Sequence, residues 1–230
     1  MASSNIICTL LLVKPKAVRV RTGELVIVPD GATVEAFRGQ PHCALANLVD
    51  DDNAAAKFVR AFGPVAQDYF VSNAQAPQYF VGAAAELIPE LLNEYPDADF
   101  YLHPKEVLLK QSALLRRAWE GEQYAIREIE DYISANIGIN GYFKKGRVAI
   151  TLPNAWAAVG VLFLRDRAAK KTAICENPDC PARYFIRTRS TQKFCEAGTC
   201  TEYGARLRAN KWWKAHGNEW RSERHRKENK

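Results

Sequence analysis

The chain lacks any apolar run long enough to cross a membrane. Its longest, Ile6 to Val13 and Ala155 to Leu164, fall well short of the ~20 residues such a helix requires, so no membrane association is expected. A secretory leader is missing as well. Met1-Ala-Ser-Ser-Asn5 carries no positive flank, and Ile6 to Val13 runs into Lys14 without a small-residue cleavage site. The sequence therefore predicts a cytoplasmic protein whose thiols stay reduced. It shows no nucleophile with an adjacent base and no glycine loop to cradle a phosphate, so an enzyme is not expected. Internal repeats are absent, and the charged end from Arg221 to Lys230 is the one segment of biased composition.

What is present divides in two. A chain of 230 residues that is 47% hydrophobic can bury one ordinary core and a small satellite. The net charge of +6 is unevenly spread: residues 171–230 hold 14 Lys or Arg against 7 Asp or Glu, a balance of +7, whereas residues 1–170 hold 18 against 19, a balance of −1. Such asymmetry points to a polyanionic partner of the C-terminal part alone, the plain alternative being a solubilising tail. We expect an α+β N-terminal domain over 1–170, a four-cysteine zinc finger over 171–217 and a basic charged tail over 218–230.

The first domain is expected to be mostly helical, with a small N-terminal β-meander. Its strands would be Asn5 to Val13, Val18 to Arg21 and Leu25 to Val28, separated by Lys14-Pro15, Thr22-Gly23 and Pro29-Asp-Gly31. From about residue 42 to 137 the pattern turns helical. Asp50-Asp-Asp52 should cap a helix that stops at Gly63-Pro64. Pro104 suits the first turn of a helix burying Leu108, Leu115 and Trp119. Ile126, Ile129, Ile133 and Ile137 line the next helix, joined to the first by a turn at Gly121. A strand from Arg147 to Leu152 leads to an Asn154-capped helix, apolar nearly all round from Ala155 to Leu164 and hence buried. Sensing or dimerisation is the expected task of this domain, which makes a homodimer or another protein partner a candidate.

Cys175, Cys180, Cys195 and Cys200 fall as Cys-x4-Cys, fourteen residues, Cys-x4-Cys. Two close pairs joined by an insert that folds back are what a tetrahedral thiolate site needs, and one structural Zn2+ is the expected cofactor. Four sulfur ligands close the coordination sphere, so a catalytic zinc is not expected. Asn177-Pro-Asp179 supplies the first turn. Arg183 to Arg187 and Gln192 to Phe194 would pair as a hairpin, and Thr199 with Glu202 reads as a capping box for a helix starting near Cys200 and ending at Gly217. Trp213, with Tyr203 and Leu207, is expected to pack on the hairpin and Trp212 or Trp220 on the N-terminal domain. The alternative is a stacking surface for a base or an anchor in a protein interface.

Cys175-Glu-Asn-Pro-Asp-Cys180, Thr191-Gln-Lys-Phe-Cys195 and Cys200-Thr-Glu-Tyr-Gly-Ala-Arg206 resemble the C-terminal fingers of bacterial CGNR-type zinc finger proteins and their uncharacterised relatives. The match covers about sixty residues; after Cys200 this chain reads Thr-Glu-Tyr where the named signature has Gly-Asn-Arg. Cysteine turn, hairpin and helix in that order describe a treble-clef-like finger, and the resemblance implies a transcription regulator. Phosphate contacts are then expected from Arg187, Arg189, Lys193, Arg206, Arg208 and Lys211, with DNA as partner and RNA as second candidate. A zinc-stabilised protein-interaction module without nucleic-acid binding is the rival expectation.

Overall fold

Residues 7–21, 24–36, 39–65, 70–71, 93–94, 100–136, 142–144, 147–152 and 154–228 are described in the computed structural model. The chain divides into Met1–Lys170 and Lys171–Lys230. In the first unit β1 (Ile7–Arg21) and β2 (Glu24–Ala36) form a long antiparallel pair. Lys14-Pro15 does not separate two strands as the sequence suggested. The register shifts between Val13, Pro15 and Ala17, so the proline, which cannot donate to the ladder, sits in an irregularity of one continuous strand. Nor does Pro29-Asp-Gly31 end β2, which runs on to Ala36.

The sheet is also larger than a meander. β3 (Phe70–Val71), β4 (Phe100–Pro104), β5 (Tyr142–Lys144) and β6 (Arg147–Leu152) complete a six-stranded sheet in the order β3-β4-β2-β1-β6-β5. β1 pairs with β6 in parallel, Ile7 opposite Ala149. The sequence placed 100–104 in a helical region. Phe-Tyr-Leu-His is instead a β-prone run, and a residue before proline avoids the helical conformation. Pro104 accordingly stands at the N-cap, one residue before α3 begins.

Five helices accompany this sheet among the described residues of the unit: α1 (Pro41–Ala46), α2 (Asp52–Phe62), α3 (Lys105–Trp119), α4 (Gln123–Asn136) and α5 (Ala155–Ala168). Asp51 caps α2 by accepting from the Ala54 N–H at 2.7 Å, and Gly63, at φ 81°, ends it. The flanking Asp50 and Asp52 hold the Lys105 ammonium at 2.9 and 2.8 Å. A lysine thus occupies the place where a triple aspartate could have held a metal cation. Leu108, Leu115 and Trp119 are buried, as are Ile126 and Ile129, while Ile133 is partly buried. Ile137 lies outside the described residues.

Helix α5 is buried on nearly every side, as an all-apolar helix must be. A Cβ at Gly160 would come within 2.8 Å of Ile133 Cδ1 and 3.2 Å of Ile129 Cγ2, so glycine sets how closely α4 approaches α5. Asn154 Oδ1 accepts from the Ala157 N–H at 2.9 Å while its Nδ2 donates to the Tyr132 hydroxyl at 2.8 Å. One side chain both starts α5 and ties it to α4. Asn154→Ala is expected to lower the unfolding free energy by ~1 to 2 kcal/mol. Urea titration should show an earlier midpoint at an unchanged slope.

One polar element of this core leaves no trace in the sequence pattern. His42 in α1 and Asp166 in α5 are both buried, with His42 Nε2 at 3.1 Å from Asp166 Oδ2. The imidazole stacks on Trp119 with ring centroids 5.8 Å apart. Arg165 grips the same carboxylate at both oxygens, at 2.9 and 3.0 Å. Cys43, beside His42 in the chain, is only half-buried.

Candidate metal centre

The second unit is built around the first cysteine pair. β7 (Thr172–Ile174) and β8 (Tyr184–Ile186) pair antiparallel, with Ala173 opposite Phe185. The Cys175 N–H donates to the Arg183 carbonyl at 2.7 Å, so the turn holding Cys175 and Cys180 is the connection of this hairpin. That pairing differs from the one read in the sequence, which matched 183–187 with 192–194. A Cys-x4-Cys turn reverses the chain, and the residues flanking it are the ones brought alongside. The 188–192 segment is closed instead by the Gln192 side chain, whose Oε1 accepts from the Thr188 N–H at 2.8 Å and its hydroxyl at 3.0 Å. The second cysteine turn is joined to the first where the Glu176 N–H donates to the Lys193 carbonyl at 3.0 Å.

α6 (Gly198–Glu228) follows. Its first hydrogen bonds run from Cys200 and Thr201 N–H to the Ala197 carbonyl, which puts Thr199 inside the first turn and not at a cap. Cys200 lies in that turn, so the expected helix start holds although its expected cap does not. The helix also continues through Gly217 to Glu228, so the residues expected as a separate tail extend α6. Gly217 is buried: a Cβ there would lie 3.0 Å from Trp213 Cε3. Its missing side chain makes room for an indole and does not terminate the helix.

These elements bring Cys175, Cys180, Cys195 and Cys200 together, all buried, with sulfurs within 4.8 Å of one another. Cys180 Sγ and Cys195 Sγ stand 3.6 Å apart. That is far beyond the ~2.05 Å of a disulfide and close to the edge of about 3.8 Å of a tetrahedron with ~2.3 Å metal–sulfur bonds. Each residue offers one sulfur, and the four can hold a metal ion. Ala173 and Phe185 are buried around the thiols and Phe194 packs against them. Burial pushes the Cys180 and Cys195 thiols up. Asn177, itself buried, donates its Nδ2 to Cys200 Sγ at 3.2 Å and is the main reason that this thiol is pushed down to about 7. The Cys195 N–H points at Cys175 Sγ, 3.4 Å away. Donors aimed at sulfur stabilise thiolate, the form that ligates. The sequence marked Asn177 as a turn residue; its hold on Cys200 depends on the second cysteine pair folding back, which no local pattern reveals.

Phe194 anchors α6. It packs on the Tyr203 ring at 5.9 Å, and a Cβ at Gly204 would sit 2.7 Å from its Cδ2, so only glycine fits there. Beside this contact lies a groove of about 700 Å³ between the second cysteine turn and α6, lined by Arg189, Lys193, Arg208 and Lys211 with Glu176 and Glu196. Four of the six basic residues singled out in the sequence thus share one groove. Lys193 pairs there with Glu176 at 2.9 Å, both side chains at least half exposed, a contact that contributes little. The other two do not line the groove. Arg206 lies over the Tyr203 ring, 5.9 Å from its centroid, and Arg187 Nε finds no hydrogen-bond partner among the described residues.

Trp213 does not join Tyr203 and Leu207 on the hairpin. It stands nine residues, or about two and a half turns, beyond Gly204, on the opposite side of the helix, and touches Trp212 and Trp220, with centroids 5.0 and 5.3 Å away. Leu207 is exposed as well. Among the described residues no helix is long and apolar enough to cross a membrane. Comparison with protein-family models, with curated proteins and with solved structures gave no match.

Proposed function

We propose that the four cysteines hold one structural zinc ion and that the module it organises binds DNA as part of a transcription regulator. The observation that carries this reading is one of placement: the four clustered sulfurs adjoin the groove lined by Arg189, Lys193, Arg208 and Lys211. Four thiolates at tetrahedral spacing suit zinc, whose filled d shell imposes no other geometry, and they leave no ligand position for an activated water. The buried cluster of the unit consists of Ala173, Phe185 and the cysteines, too little apolar surface to sustain a fold of this size without a staple. Metal binding therefore supplies the stability of the module. A hairpin closed by the first cysteine turn and a helix that carries Cys200 in its first turn support a treble-clef-like finger, and the motifs around Cys175, Cys195 and Cys200 support kinship with the CGNR-type regulators.

Retention on DNA across a salt series tests the reading. Phosphate neutralisation by the four groove cations predicts log affinity falling against log salt at about 0.9 per contact. Between about 50 and 200 mM salt that amounts to roughly a hundredfold loss. Arg208→Ala and Lys211→Ala should each reduce the slope by about 0.9, equally on every sequence tested. A chain that retains its metal yet shows no retention on DNA, or retention indifferent to salt, is the protein-interaction module instead. RNA run in parallel ranks the second polymer.

A further inference from the structure

Beyond its first turns, α6 carries a feature that neither the metal centre nor the groove uses. Trp212, Trp213 and Trp220 are 45%, 47% and 41% exposed, an unusual state for so costly an apolar surface. They pack on one another: Trp212 meets Trp213 edge to face and Trp213 meets Trp220 likewise. His216 stacks on Trp212, centroids 5.4 Å apart and planes 24° from parallel. The result is a continuous aromatic island spanning about two turns, with Trp213 lying over Gly217.

The Trp213 and Trp220 part of this island faces away from the groove. Gly204 marks the side of α6 that meets Phe194, and both Trp213 and Trp220 lie within ~20° of the opposite side. Cations surround it. Lys227 stands seven residues after Trp220, in line with the two indoles. Arg224 lies over the Trp220 ring at 5.6 Å, and Arg221 bonds back to the Gly217 carbonyl at 3.0 Å. Over 198–228 the sequence holds 8 Lys or Arg against 4 Glu.

The chemistry of the island narrows what can cover it. A helix-pairing seam needs apolar residues at three- and four-residue steps over several heptads. Here the steps out from the two indoles meet Ala209, Asn210, Glu223 and Arg224, so the seam ends after two turns. An interfacial membrane helix needs a wide apolar face, which these same residues deny. Flat aromatic faces ringed by cations fit a polyanion that carries its own aromatic rings: unpaired nucleobases stack on the indoles while the phosphates meet the arginines. We propose that this face of α6 is a binding site for single-stranded nucleic acid, separate from the groove and independent of what the groove binds.

The test uses the full metal-loaded chain, a short oligothymidylate and a random-sequence duplex of the same length, followed by tryptophan emission and by anisotropy of a labelled oligonucleotide. Saturating oligothymidylate is expected to quench the emission. Trp213→Leu and Trp220→Leu, which keep apolar bulk but remove the ring, should each weaken its binding by about five- to a hundredfold. Trp213→Phe and Trp220→Phe should keep most of the affinity. Because the indoles are exposed, metal content and circular dichroism should be unchanged in all four variants. Absence of oligothymidylate binding, binding without quenching, or leucine variants that bind like the parent would each overturn the proposal. Those results together with salt-sensitive duplex retention would sink this site and leave the groove standing. Quenching by the single strand in a chain that ignores duplex DNA would do the reverse.

Discussion

Cys180→Ser or Cys200→Ser is expected to release the metal and unfold Lys171–Lys230 while Met1–Lys170 keeps its structure. Apparent zinc-binding free energies of ~10 to 16 kcal/mol in small finger modules exceed what the remaining contacts could supply. In this unit they are the β7–β8 pair, the packing of Phe194 on Tyr203 and a helix whose residues after Gly204 are, Gly217 apart, exposed wherever their side chains are described. An exposed helix of that length is marginal in water once its anchor is lost. Hydrogen exchange should therefore show amides of 172–204 losing protection, with α6 fraying, while α3, α4 and α5 remain protected. A strong chelator applied to the unaltered chain should reproduce the pattern, and added zinc should reverse it. Cys43→Ser, which alters a half-buried thiol outside the cluster, should leave metal content intact.

In the first unit, stability should fall with acid through the titration of His42. Burial lowers its pKa from 6.5 to about 4. The nearby Asp166 carboxylate works in the opposite direction but does not prevail, because Arg165 already engages both of its oxygens and itself disfavours a second cation. The imidazole is thus neutral in the fold over most of the acid range. Between pH 6.5 and 4 the unfolded chain binds a proton at this site that the folded chain refuses, so stability rises with pH across that window. The contribution is complete above pH 6.5 and is lost as pH falls to 4. At ~1.36 kcal/mol per pKa unit the change is about 3 kcal/mol, roughly 2 of it already gone at pH 5. Urea unfolding at pH 7, 5 and 4 reads this directly. His42→Gln should be less stable than the parent at pH 7 but should lose less on acidification, by about the same 3 kcal/mol. Equal losses in both chains would place the acid sensitivity elsewhere.

How far the sequence disclosed this molecule depended on whether each signal was local. The caps at Asp51 and Asn154 were legible because a cap is decided within four residues. The all-apolar run of α5 was legible because no exposed position could tolerate it. The cysteine cluster could be read from spacing alone, since paired thiols separated by a returning insert have few other uses in a reduced chain. Pro15 misled because proline marks either the end of a strand or an irregularity within one, and only the partner strand decides. Gly217 misled in the same way: a glycine late in a helix is a common stop, but here Trp213 lies over it. The β7–β8 pairing and the Asn177–Cys200 contact both follow from how the chain turns at the cysteine cluster. His42 and Asp166, in different helices, share no periodicity that could have joined them. In the groove, charge alone named six residues, whereas the course of the chain past Phe194 selects Arg189, Lys193, Arg208 and Lys211.

The most direct test of the metal centre is X-ray absorption at the zinc edge on the purified full chain, combined with elemental analysis. Sulfurs already gathered within 4.8 Å of one another predict one zinc per chain with four sulfur neighbours at ~2.3 Å and no nitrogen or oxygen in the inner sphere. Metal-free protein in which Lys171–Lys230 is nonetheless folded, or a zinc coordinated by mixed ligands, would contradict the account.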